Sequence, residues 1–133
     1  MARYTDSMSL DYSITYEQSH VTVDVSGQGD YLSTDQMWKD IAAACQKNSC
    51  HNILGIANIH VRSSEHAYDH AAIFEAAGIT DEYRIAWVEL NPEVEETARL
   101  VEAVVRNRGL ADGRVFDNLI DAKRWLAEAP GGN

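Results

Sequence analysis

His66 and His70 stand four residues apart, one helical turn, a spacing at which two imidazoles can share a metal ion, and His60 lies a short loop away. Zinc would need a third and a fourth donor. The neighbouring candidates, Glu65 and Asp69, point to other sides of the same helix, and the alternative is a packed or rim histidine pair with His70 facing inward. Cys45, Cys50 and His51 form a second cluster, but this spacing without a second ligand pair is a weak zinc pattern. Cys45 falls on an apolar helical face and reads as a small buried hydrophobe. A catalytic thiol would have to be Cys50 beside His51, with no third group that sequence can place to orient them.

The remaining candidates also have plain structural readings. Gly27-Gln28-Gly29 follows a strand but lacks the third glycine and the Lys-Ser/Thr of nucleotide-binding loops. Glu93, Glu95 and Glu96 sit at the start of a helix, where its dipole favours acidic side chains. Ser63 and Ser64 stand where a helix N-cap is needed. Trp38, Trp87 and Trp125 all fall at inward positions and read as core residues, not as stacking platforms. The expectation is a chain with no catalytic residue set and no cofactor.

The 133 residues fit one domain, 1–133, whose core can bury roughly two-thirds of the surface exposed by the unfolded chain. With 45% hydrophobic and 24% charged residues the composition is ordinary for a globular protein. No apolar run approaches the roughly 20 residues of a bilayer-spanning helix, so no membrane insertion is expected. The N-terminus lacks the basic start and apolar stretch of a signal peptide, and the two cysteines fit a reduced, cytoplasmic setting. A net charge of −10 repels phosphate backbones and argues against nucleic acid as a partner. Six of the eleven basic residues nevertheless fall in the last third, which leaves Arg108 and Arg114 as candidates for a local anion contact; for the arginines at the end of the third helix the alternative is helix-end electrostatics.

Hydrophobic periodicity supplies the elements that must position these residues. Tyr12, Ile14 and Tyr16, then Val21, Val23 and Val25, alternate with polar residues on either side of a short break, which predicts an antiparallel hairpin with one wet face. Ser33 with Gln36 reads as a capping box for a helix over 34–47 that buries Trp38, Ile41, Ala42 and Cys45. Residues 53–61 are almost continuously apolar and predict a central strand. A helix follows from Ser63 or Ser64 to about Ala77, with Ala67, His70, Ala71, Phe74 and Ala77 inward and Gly78 as its stop. A second apolar strand spans 83–90. Asn91-Pro92-Glu93 starts a third helix that buries Val94, Ala98, Val101 and Val105 and stops at Gly109. A short strand over 114–116 and a last helix capped by Asp117 or Asn118, carrying Leu119, Ala122, Trp125 and Leu126, complete the chain. The fold class is α/β: a single mixed sheet in which the N-terminal antiparallel hairpin, toward one edge, precedes alternating helices and parallel strands.

The runs RIAWVELNPE, VRNRG and RVFDNLIDAKRWL, with this order of elements, resemble the SpoIIAA-like proteins, a bacterial branch of the STAS fold that is also grouped with CRAL-TRIO-type lipid-binding domains. The matching residues are Arg84, Ile85, Ala86 and Val88, then Asn107-Arg108-Gly109, then Val115, Phe116, Ala122, Trp125 and Leu126. The resemblance implies a non-catalytic regulatory module that acts by protein contact, in some members through phosphorylation of a serine after the central strand. The matching position is Ser63 or Ser64, although the Asp-Ser-x-Gly pattern of that loop is replaced by Val61-Arg62-Ser63-Ser64-Glu65. The expected partner is a protein or a second copy of the chain, since an open mixed sheet leaves edges that need cover and a homodimer supplies it. The grouping with lipid-binding domains implies an alternative, a carrier of a small apolar ligand or lipid. A metal-dependent enzyme built on His60, His66 and His70 ranks third.

Overall fold

The computed structural model describes residues 2–4, 10–17, 19–60 and 69–128. Strands β1 (Ala2–Tyr4), β2 (Leu10–Glu17) and β3 (His20–Gln28) lead to helix α1 (Tyr31–Lys47) and strand β4 (Asn52–His60). Helix α2 (His70–Ala77), strand β5 (Arg84–Glu89), a 3₁₀ turn (Pro92–Val94), helix α3 (Glu95–Asn107), strand β6 (Asp112–Phe116) and helix α4 (Leu119–Ala127) follow. The six strands lie side by side in chain order. β1, β2 and β3 pair antiparallel, and β3 through β6 pair parallel. Strand β1 is an addition to the expected order: three residues are too few to carry a period-two signal.

Strands in chain order joined by crossovers of one hand put every crossover helix on the same side. Accordingly α1, α2 and α3 cover one face, where Val21, Val23, Ile53, Ala57 and Ile85 meet Trp38, Ile41, Cys45, Phe74 and Val105. Helix α4 crosses to the other face and packs Ala122 and Leu126 on Leu54, Ala86 and Val88. Alternate residues of β4 and β5 therefore feed two separate cores, which explains why both strands read as continuous apolar runs.

Local chemistry sets the boundaries, with two corrections. Helix α1 starts three residues earlier than the Ser33 capping box implies, because the Asp30 carboxylate accepts the Ser33 backbone N–H at 2.8 Å and its hydroxyl at 2.9 Å. Asp30 is the cap, and Ser33 lies inside the first turn. In α2 the inward pair is Ile73 and Phe74, while His70, Ala71 and Ala77 are half-buried; Ala67 lies outside the described residues. Gly78 ends α2 at φ +84, and Asn91 and Asn118 cap the 3₁₀ turn and α4 as expected.

The outer edge of β6 is closed by α3. Glu102 accepts the Val115 N–H at 2.7 Å, and the Arg99 guanidinium donates to the Val115 carbonyl at 3.3 Å, so side chains occupy the two backbone groups that another strand would use. The double variant Arg99→Ala/Glu102→Ala is expected to open this edge and to self-associate with concentration in sedimentation. A double variant that sediments like the parent across the same range would show that the two side chains do not guard it.

Candidate functional site

A cavity of about 140 Å³ lies between the sheet and the three helices on its larger face. Ile85, Trp87 and Glu89 of β5 form its floor, Thr34, Met37 and Trp38 of α1 and Ile73 and Phe74 of α2 one side, and Val94, Ala98 and Val101 the other. Ala98 and Val101, expected to be core, are half-buried: Val101 packs against the larger core, and both line the cavity where α2 and α3 part over β5. The floor is aromatic: Trp38 meets Trp87 at 5.7 Å between ring centroids and Phe74 edge-on at 4.8 Å. Trp87 is thus a cavity wall as well as a core residue, a correction to its sequence reading.

Glu89 is the charged group on this floor. It alternates onto the same face as Ile85 and Trp87. Oε2 accepts the N–H groups of Ile59 at 3.1 Å and Asn91 at 3.4 Å, and Oε1 accepts the indole N–H of Trp87 at 3.4 Å. Burial raises its pKa above the ordinary value of 4.5, opposed by these hydrogen bonds and by the charge of nearby His60. Its contribution to stability is therefore fully present below the ordinary carboxylate value and is lost as pH rises through the folded-state value. Relative to Glu89→Gln, the parent should lose stability as pH rises from 4 through that window, read as the difference between urea unfolding curves at each pH. A difference that stays flat with pH would contradict it.

The sequence-derived candidates are dispersed. His60 ends β4, with Nδ1 3.3 Å from the Asn91 amide nitrogen. His70 starts α2, packs edge-on to Phe74 and borders the cavity. His66, Ser63 and Ser64 lie outside the described residues. Among the described residues no three His, Cys, Asp or Glu side chains converge as metal ligands would. Cys45 is fully buried, its thiol pushed up to about 12 chiefly by that burial. Cys50 directs its thiol at the carbonyls of Ser19 and Asn52, while His51 packs edge-on to Tyr83. Arg108 closes the end of α3, and Arg114 faces α4 across the sheet with its guanidinium 5.5 Å from the Trp125 ring. The two arginines therefore lie on opposite faces.

Trp125 carries a second correction. It is half-buried and serves as a platform after all, with the Arg84 guanidinium 3.9 Å from its ring centroid. Glu89 and the Arg99–Glu102 pair were not singled out from the sequence, and Arg84 was named there only as a residue matching the family pattern. For Glu89 the signal was present: it closes an apolar run at the inward parity of Ile85 and Trp87.

The six-stranded mixed sheet, three helices on one face and a returning helix on the other make this a SpoIIAA-like, STAS-type fold. An anti-sigma factor antagonist from Mycobacterium paratuberculosis shares it with a TM-score of 0.61 and 15% identity, over 92% of this chain and 98% of that one. An uncharacterized DUF3478-family protein with a SpoIIAA-like fold from Shewanella loihica does so with a TM-score of 0.54 and 16% identity, again over 92% and 98%. No protein-family model and no curated protein matches the sequence. Among the described residues no helix is long and apolar enough to cross a membrane.

Proposed function

We propose that the chain is a non-catalytic, cytoplasmic regulatory module that works by contact with a protein partner. The observation that carries this reading is the apolar rim at the carboxyl end of the parallel strands, where Leu32 is 80% exposed, Leu90 57% and Tyr31 40%. Backbone bonds from Gly29 to His60 and from Leu90 to Ala57 hold these segments side by side at the end of the sheet that the cavity borders. Large exposed apolar side chains at one end of a sheet are a surface that a protein contact can bury. The near-complete overlap with the fold of an anti-sigma factor antagonist supports the same reading. Ser63 and Ser64 follow His60 in the chain, and phosphate on either would add up to two negative charges there. With Arg99 and Glu102 occupying the Val115 groups at the β6 edge, a second copy would dock on the rim or along the β1 edge.

The test is site-specific photo-crosslinking in the native cell, with the probe replacing Leu32, Leu90 or, as a control on the opposite face, Ile120. One protein should dominate the adducts at 32 and 90 and be absent at 120. Equal adducts at all three positions, or none at 32 and 90, would overturn the reading.

A second reading, a small-ligand carrier, is favoured by the cavity. Its 140 Å³ is enough for a ligand of one ring's size, since an engineered protein cavity of about 150 Å³ takes up benzene.

A further inference from the structure

The cavity has a chemical polarity that its size alone does not express. Its walls are mostly apolar, and the acidic residues Asp30, Asp69, Glu89 and Glu102 line it in a chain of net charge −10. Asp30 is engaged in capping α1. Glu89 is held differently: the described partner of its Oε1 is one indole N–H at 3.4 Å, and a carboxylate oxygen can accept more than one such bond.

We propose that this cavity binds a small organic amine, with an aromatic or branched aliphatic group of about six or seven carbons seated between α2, α3 and β5 and its ammonium held by Glu89. The proposal rests on the small-ligand reading and adds the ligand's charge. Charge complementarity argues for a cation. An organic anion would meet a cavity lined by four acidic residues, Glu102 as well as Asp30, Asp69 and Glu89, and the Arg114 guanidinium lies beyond the sheet beside Trp125, which leaves His70 as the basic side chain at the wall. A neutral ligand would add no positive charge against Glu89, whose ionised form burial disfavours and the three N–H groups and His60 only partly support. An ammonium closing over Oε1 supplies that charge and donates to the remaining lone pair. The faces of Trp87 and Trp38 add attraction for a cation or ring placed against them.

The experiment is a titration of the full chain with benzylamine, benzyl alcohol and phenylacetate, followed by amide and indole chemical shifts. Benzylamine should shift the Trp87 indole and the Ala98 and Val101 amides, and bind about tenfold or more tighter than benzyl alcohol, as expected for one hydrogen bond between charged groups. Phenylacetate should bind most weakly. Glu89→Gln should erase the preference for the amine and keep the alcohol, whereas Ala98→Phe, which fills the cavity, should abolish binding of all three. Equal binding of amine and alcohol to the parent would overturn the amine proposal and leave the cavity reading standing. If none of the three shifts the cavity residues, both fall. Should Glu89→Gln fail to fold, the three-ligand comparison in the parent and Ala98→Phe still decide.

Discussion

Replacing Gly55 with alanine is expected to lower the unfolding free energy by about 2–3 kcal/mol, the range of an overpacked core, and the melting temperature by roughly 9 °C. Gly55 sits in the middle of β4 opposite Trp87 of β5. A Cβ at position 55 would lie 2.2 Å from Cε3 and 2.5 Å from Cζ3 of that ring. The obstacle is a rigid indole, not the end of a flexible chain, so the ring must move. Moving it disturbs the stack through Trp38 to Phe74 and drives the ring toward the cavity. A double-mutant cycle isolates the cause: in a Trp87→Leu background the same Gly55→Ala change should cost almost nothing, a coupling of about 2 kcal/mol. Additive losses would show that the close approach of ring and backbone is not what requires glycine.

Arg84→Ala is expected to cost about 2–3 kcal/mol, and Arg84→Lys to recover less than half of that, because a buried guanidinium fork is replaced by a point charge. The Arg84 side chain is only 11% exposed. Its guanidinium stacks on Trp125 and donates to the carbonyls of Trp125 at 3.1 Å and Leu126 at 3.4 Å, closing the last turn of α4 at its negative end. The contact with Asp112 is long at 3.5 Å and its partner 44% exposed, so solvent screening leaves it a small share. The variant should loosen α4 ahead of the rest, seen as faster hydrogen exchange of its amides and a red-shifted Trp125 emission. Arg84→Met, which keeps the stem but not the donors, separates packing from polar contact. If it were as stable as the parent, the guanidinium bonds would be dispensable.

Both predictions concern residues whose importance is invisible at the level of periodicity. Gly55 reads as a glycine inside a strand, a general hint of close approach. The approaching group is known only once β4 and β5 pair in register. Arg84 lies in a run matching a family pattern, but its role depends on α4 crossing to the sheet face opposite α1, α2 and α3. Ala98 and Val101 show the same limit from the other side: their spacing marks an apolar helical face, and the separation of α2 from α3 decides that they border a cavity.

The sequence by itself determined what depends on nearby residues: the alternating hairpin, the two-sided apolar strands β4 and β5, the inward face of α1, and the Asn91, Asn118 and Gly78 boundaries. These follow from periods of two and 3.6 and from caps acting within a few residues of one another. It missed Asp30 as the cap of α1, because Ser33 and Gln36 satisfied a local pattern equally well. Tertiary structure decided the rest: the closed β6 edge at Val115, the separation of Arg108 from Arg114, the platform under Arg84, and the cavity over Trp87 and Glu89. Each is a relation between residues distant in the chain, fixed by strand order and by the side of the sheet to which each helix returns.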